Sequence, residues 1–424
     1  MSKASKKEIF GWAMFDFANS SFTTVIVTVI FSAYFVSHVV GDDVSGVKYW
    51  GWALCISNLI VIMVGPVLGA VADFSASKKK FLFLSYLICV VFTALLFFVK
   101  GGDILLGIAI FIIANIGFAA GENFCSAFLP EIARPDQMGR ISGYGWAVGY
   151  VGGLLSLILC LILFKSWGQG ELQIRTTFLI TAVFFLLSAL PTFMFLKERR
   201  RPQVSTGTKS YIQIGFKRLS ETFKDMRNFG ELIKFLSVFF LYSCGIATVI
   251  SFSAIYAESV IHFSKSETLL FFIVVQVSSS IGAFAFGFVE DKLGAKKTIS
   301  ITLIIWIIVV LGAYWSPSKG VFWAIGNLAG LAIGSSQSSS RALVALFTPE
   351  SKSAEFFGLW GLSGKLAATI GIYSYSFITV LTGSMKSAIL MMAFFFVAGL
   401  VGMIFVNEEK GRRAVRRYND EGLN

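Results

Sequence analysis

The sequence predicts an all-α membrane protein, with twelve transmembrane helices in two pseudo-symmetric six-helix halves. Three observations predict it. The 424 residues are 56% hydrophobic and only 14% charged, against roughly 25% charged in a soluble domain, and the mean hydropathy is +0.76. Twelve apolar runs each approach the roughly 20 residues that cross a bilayer. They lie near 11–40, 47–72, 80–99, 103–129, 138–164, 176–196, 232–259, 266–290, 298–315, 320–347, 354–382 and 386–406. A charged hairpin motif also occurs twice, 218 residues apart. The first copy is Gly69-Ala70-Val71-Ala72-Asp73 followed by Lys78-Lys79-Lys80. The second is Gly287-Phe288-Val289-Glu290-Asp291 followed by Lys296-Lys297.

The runs divide six and six. Residues 1–196 form the first half, 232–407 the second and 408–424 a basic tail. The first run is far longer than the roughly 7–15 residues of a signal-peptide core, so it is expected to remain as a helix. The turns between runs carry chain breakers: Gly41-Asp42-Asp43, Gly101-Gly102, Trp167-Gly168-Gln169-Gly170, Ser316-Pro317 and Thr382-Gly383. Residues 197–231 make the one long polar segment. There Ile212, Phe216, Leu219, Phe223 and Met226 recur at helical spacing, with Lys217, Arg218, Lys224 and Arg227 between them. That pattern predicts an amphipathic helix on the anionic inner leaflet. A linker tying two bundles is the simpler reading.

A second repeat supports the first. Run four ends in Phe128-Leu129-Pro130-Glu131 and run ten in Phe347-Thr348-Pro349-Glu350, 219 residues apart. Each is followed by a glycine-rich helix start, with Gly143 and Gly149 around Trp146 in one and Gly358 and Gly364 around Trp360 in the other. Small residues let helix backbones approach closely in lipid. These faces are expected to pack on helices eight and two, under the Asp291 and Asp73 hairpins.

Charge sets the orientation. The hairpins, the 197–231 segment, both ends of the chain and Arg134, Arg140 and Lys352 fall on one side. The other side holds only Lys48, Lys100, Lys165, Arg175, Lys265, Lys319 and Lys386. The positive-inside rule then places both termini in the cytoplasm. The net charge of +12 is a topology signal, and a nucleic-acid partner is not needed to explain it. Cys55, Cys89, Cys125, Cys160 and Cys244 lie in apolar runs without CxxC spacing, and His38 and His262 are far apart. Disulfides, a metal site and a cofactor are not expected. No Walker loop and no nucleophile–base set of family spacing is present, so neither an enzyme nor an ATP-driven pump is expected.

Two halves with the same internal landmarks resemble the major facilitator superfamily, whose halves rock around a site at the bilayer midplane. The hairpins are similar to its signature between helices two and three. The second copy fits well, while the first has Phe74 in place of a basic residue and Ala76 in place of glycine. Three patches narrow the resemblance: Gly11-Trp12-Ala13-Met14-Phe15-Asp16-Phe17-Ala18-Asn19-Ser20, then Ala127-Phe128-Leu129-Pro130-Glu131-Ile132 with Gly139-Arg140-Ile141-Ser142-Gly143, and Glu355-Phe356-Phe357-Gly358 with Gly364-Lys365. These resemble the branch that contains the fungal autophagy-related vacuolar amino-acid effluxer and its bacterial relatives. The resemblance implies a secondary active transporter of a small solute, amino acids or similar metabolites, working as a monomer by alternating access in a bacterial cytoplasmic membrane. It also implies switch roles for Gly69, Asp73, Lys78, Gly287, Asp291, Lys296, Gly143, Gly149, Gly358 and Gly364. A lipid-handling membrane protein or a non-transporting receptor on the same fold is the alternative.

Ionisable groups inside spanning helices are costly and mark function. Asp16 lies near the start of run one, where its carboxylate would suit a helix N-terminus. Glu122 and Arg341 each precede a repeated proline by eight residues, about 12 Å into helices four and ten. They are expected to face each other across the cavity. Lys365 is the deepest charge, about 18 Å from the start of run eleven; snorkelling is its structural alternative. Arg341 or Lys365 could hold a substrate carboxylate, with Glu122, Asn19 or Asn123 holding an ammonium. Alternatively, the charges form a gate between the halves. Glu122 is also the expected carrier if a proton gradient drives transport.

Overall fold

The computed structural model describes residues 4–168, 170–199, 229–315 and 318–420. The amphipathic stretch expected between Ile212 and Met226, and the turn positions Gln169, Ser316 and Pro317, lie outside these residues.

Twelve long helices form the bundle among the described residues. In the first half they are α1 (Lys6–Val40), α2 (Asp43–Phe74), α3 (Lys78–Phe98), α4 (Ile104–Ser126), α5 (Met138–Trp167) and α6 (Glu171–Phe195). In the second they are α7 (Gly230–Ser259), α8 (Lys265–Leu293), α9 (Ala295–Trp315), α10 (Lys319–Leu346), α11 (Ser353–Thr382) and α12 (Met385–Phe405). A short terminal helix, α13 (Glu408–Asp420), follows. Ten of the twelve are long and apolar enough to cross a membrane on length and composition alone. Helix α10 carries the polar run Ser335–Arg341, and α11 opens with Ser353, Glu355 and Ser363, which lowers their hydropathy. That polarity is buried against protein: Ser335 shares a hydrogen bond of 2.6 Å with Thr302 of α9, and Ser340 one of 2.6 Å with Tyr242 of α7. In the bilayer such groups must be satisfied internally.

Helix starts follow their caps. Ser5 accepts the Glu8 N–H at 3.3 Å, and Asp42 accepts the Ser45 N–H at 2.9 Å. Ser264 and Glu267 form a reciprocal capping box at the head of α8. Helix α6 begins at Glu171, five residues before the apolar run, because Glu171 and Arg175 are polar yet helical at the edge of the bundle. Helix α1 widens into π-helical turns over Phe22–Val29 and Phe35–Val40.

The two halves repeat one packing scheme. In the first, α1 packs on α5 and α6, α3 on α4 and α6, and α2 on α4. In the second, α7 packs on α11 and α12, α9 on α10 and α12, and α8 on α10. The ends of the halves are capped alike as well. Glu8 accepts the Lys197 N–H at 3.3 Å and two bonds of 2.6 Å from the Arg199 guanidinium. Glu231 accepts the Asn407 N–H at 2.8 Å and a bond of 2.9 Å from Lys234. The seam between halves is made by α2 on α11 and by α5 on α8 and α10, with a smaller α4–α11 contact.

The two hairpins turn through the same left-handed position. Gly294 adopts φ 88 in the second, and Ala76 adopts φ 47 in the first. A side chain in this region costs about 1–2 kcal/mol, whereas glycine enters it freely. Ala76→Gly is therefore expected to raise the thermal unfolding midpoint in detergent, and Gly294→Ala to lower it.

Candidate functional site

The hairpin carboxylates act across the seam. Asp73, at the end of α2, accepts the Glu355 N–H in the first turn of α11 at 3.0 Å. Asp291, at the end of α8, accepts the Gly139 and Arg140 N–H groups in the first turn of α5 at 3.1 and 3.3 Å. Each hairpin thus caps the opening of a helix in the opposite half, where orphan N–H groups and the helix dipole both favour a carboxylate. The Arg140 Nε lies 2.9 Å from Asp291. In the first hairpin Lys78 is fully buried. Its ammonium contacts Glu131, donates 2.8 Å to the Ser353 hydroxyl of α11 and lies 4.0 Å from Asp73.

Lys296 is not the structural counterpart of Lys78, although the aligned motifs pair them. Its N–H donates to Glu408 at 2.9 Å and its ammonium to the Ile404 and Val406 carbonyls. Lys79 does the same in the first half, with Glu198 at 2.9 Å and the Leu196 carbonyl at 2.6 Å. The reason is the helix start. Helix α3 opens at Lys78 and α9 at Ala295, so Lys79 and Lys296 each take the second position.

Only part of each glycine-rich face packs as expected. A Cβ on Gly143 would stand 2.5 Å from the Ala283 carbonyl of α8, and one on Gly358 2.9 Å from the Cα of Pro66 in α2. Gly69 backs onto the Ala354 carbonyl and Gly287 onto Gly139 and Arg140. Gly149, by contrast, faces Ser20 and Asp16 of α1, and Gly364 faces Phe239 of α7. A helical face is only about one residue in four wide at a given contact, so glycines six apart point to different neighbours.

Deeper in, Arg341 departs from the pairing expected with Glu122. Its guanidinium reaches Asp16 at 2.6 Å, the Ser142 carbonyl at 2.8 Å and the Ser142 hydroxyl at 3.1 Å. It lies between two indoles, 4.7 Å from the Trp12 ring centroid and 5.3 Å from that of Trp146. Arg341 belongs to the second half, and all these partners belong to the first. Gly145 leaves the space: a Cβ there would collide with the Asp16 carboxylate and stand 2.5 Å from the Arg341 guanidinium. Asp16 is eleven residues into α1, and the N-cap of that helix is Ser5, so the helix-terminus reading of Asp16 does not hold.

Glu122 and Lys365 form the other central pair. Lys365 reaches across the seam and sits 5.9 Å from the ring centroid of Phe118, one turn from Glu122 on α4. Among the described residues neither makes an ion pair within 4.0 Å, and Phe118 and Glu122 lie one turn apart on α4. Lys365 therefore points into the protein interior and does not snorkel. Asn123 is buried against Gly361 at the same level. Asn19 is buried with its Oδ1 unpartnered. Two other polar groups of the bundle are helix–helix contacts: Asn115 donates to Ser57 at 2.8 Å, and Asn327 accepts from Ser278 at 2.7 Å.

A family model described as "Vacuole effluxer Atg22 like" matches residues 49–416. The chain belongs to this family. The MFS-type transporter YxiO of Bacillus subtilis (strain 168) is 28% identical over 433 residues, covering 99% of both chains. Autophagy-related protein 22 of Yarrowia lipolytica is 24% identical over 334 residues, 71% of this chain and 56% of that protein. Among solved structures, the human organic anion transporter MFSD10 (TETRAN) superposes with TM-score 0.78 at 14% identity, covering 94% of this chain and 99% of that one. The proton:xylose symporter XylE gives 0.76 at 15%, covering 96% of both. This Atg22-like chain is thus a multi-pass membrane transporter of the major facilitator fold.

Sequence reasoning missed Trp12, Ser142 and Trp146 as partners of Arg341, although Trp12 and Ser142 lie in patches that carry the Atg22 resemblance and Trp146 in a repeated glycine-rich helix start. Cross-half contacts of this kind leave no periodic signal. Two expectations follow. Asp16→Asn strands a buried guanidinium, at a cost of about 3–5 kcal/mol; the detergent melting midpoint should fall sharply, and adding Arg341→Met should recover most of the loss. Gly143→Val should hold α5 off α8. A cysteine at Met138, in a chain otherwise free of reactive cysteine, should then react faster with a bulky maleimide.

Proposed function

We propose that the chain is a secondary transporter of zwitterionic amino acids or similar small metabolites. It works by alternating access in a bacterial cytoplasmic membrane, with both termini in the cytoplasm. The observation that carries this reading is the division of the four central charges. Asp16 and Glu122 come from the first half, Arg341 and Lys365 from the second. The Asp16–Arg341 pair is fully committed and serves as the gate that opens when the halves part. Glu122 and Lys365 face each other uncommitted, so a zwitterion between them offers its ammonium to one half and its carboxylate to the other. Burying paired charges avoids the several kcal/mol that a lone buried charge costs. The family match and the lysine-rich hairpin end support membrane transport and the orientation, respectively. Proton coupling is assigned to Glu122, the central carboxylate that makes no ion pair among the described residues.

The test uses the purified chain in proteoliposomes, with binding and exchange of labelled amino acids read separately. Lys365→Ala should weaken amino-acid binding at least tenfold, as expected from about 1.5–3 kcal/mol for a charge-assisted bond. Binding of the amine that lacks the carboxyl should be unchanged. Full-affinity amino-acid binding by Lys365→Ala would remove the ligand role. Arg341→Ala should change exchange rate while leaving affinity in place. Exchange insensitive to both an uncoupler and Glu122→Gln would leave facilitated diffusion.

A further inference from the structure

We infer that Glu290 is a proton-binding site at the seam between the halves, loaded when the hairpin end closes and emptied when it opens. Glu290 immediately precedes the capping Asp291, and the equivalent position of the first hairpin is Ala72. The second hairpin therefore carries an acid that the first lacks and that capping does not need. It is 3% exposed. Its side chain lies directly on Gly139 of α5, where a Cβ would stand 2.7–2.8 Å from its Cβ, Cγ and Cδ. The carboxyl is thus packed on the opposite half. Among the described residues neither of its oxygens has a hydrogen-bond partner within 3.5 Å, although the neutral Ser339 hydroxyl of α10 faces it.

Among the described residues, the surrounding groups do not neutralise it. On its own helix, Asp291 is a like charge and Lys292 is exposed. On the α5 side, Arg140 is paired with Asp291, and Asp136 adds a negative charge to the same cavity wall. From α9, Lys296 is spent on the Ile404 and Val406 carbonyls, and Lys297 is exposed. From α13, Arg412 is held by Glu408 at 2.6 Å, and Glu408 is again negative. From α10 comes the neutral Ser339 hydroxyl. Burying an ionised carboxylate without a partner is prohibitive, so Glu290 occupies this seam as the neutral acid.

When α5 and α8 separate, Glu290 meets water on the hairpin side and ionises as an ordinary carboxyl does at neutral pH. Closure then takes up one proton from that side. The sign follows: acidification there favours the closed seam and alkalinisation favours the open one. One linked proton changes the open-to-closed ratio by at most about tenfold per pH unit. This inference rests on the halves rocking apart, but it needs no particular substrate.

The test places spin labels at Lys80→Cys in the first half and Asn419→Cys on α13, which packs on α7 and α10 of the second, both exposed, in the reconstituted full chain. Distances are measured while pH on the hairpin side is varied. The wild-type distribution should shift from short to long as pH rises. Glu290→Gln, which mimics the neutral acid, should hold the short distance at every pH, and Glu290→Leu should do the same. Unchanged pH dependence in both variants overturns the inference, as does a distance that responds to an amino acid but not to pH. A distance that responds to nothing refutes the rocking reading itself.

Discussion

Each half of this transporter finishes folding on the other. The first turns of α5 and α11 need acceptors for their N–H groups, and the acceptors come from Asp291 and Asp73 across the seam. A helix start left without a cap loses about 1 kcal/mol, and a carboxylate at a helix N-terminus gains roughly 0.3–1 kcal/mol. Two such contacts are too weak to lock the halves together and strong enough to define how they meet. Everything else at the hairpin end is arranged around that meeting. Gly69, Gly143, Gly287 and Gly358 let the backbones come close enough for a short side chain to reach.

The central charges extend the same logic inward. The first half contributes Asp16 and Glu122 and the second Arg341 and Lys365, so closing the seam always brings unlike charges together. The pairs differ in how completely they are used. Arg341 spends its guanidinium on Asp16 and Ser142 and is covered by Trp12 and Trp146. It cannot leave without breaking all of these contacts at once. Among the described residues the Lys365 ammonium has the Phe118 ring and no ion pair.

The twelve helices and their duplication were legible because both rest on local pattern. Apolar runs of spanning length and two motifs at a fixed offset are visible in one dimension. The hairpin aspartates were legible for the same reason, since a helix end followed by lysines is a local statement. The partners of Arg341 were not. Eight residues before a proline gives depth, but azimuth around the helix decides whether Glu122 or Asp16 is met, and sequence alone fixes azimuth only to within a fraction of a turn. Lys296 misled for a related reason. Counting from Asp291 aligns it with Lys78, while the capping contacts count from the first turn of the helix, which in the second half begins one residue earlier in register.

Duplication also explains why the two hairpins are not interchangeable. Both must cap a helix in the other half, and both have an aspartate. The first adds Lys78, buried between Glu131, Asp73 and Ser353. The position matching Lys78 in the second is the apolar Ala295, buried at the start of α9. Charge at the first hairpin is balanced within its own half, by Glu131 and Asp73, and Ser353 of the other half adds a hydrogen bond. At the second, Arg140 serves Asp291, and among the described residues no side chain forms an ion pair with Glu290. A seam closed by two copies of one device therefore has a side whose charges are matched by residues of the chain, and a side that has to take its neutralising charge from solution. The first makes closure specific, and the second ties it to the medium on the hairpin side.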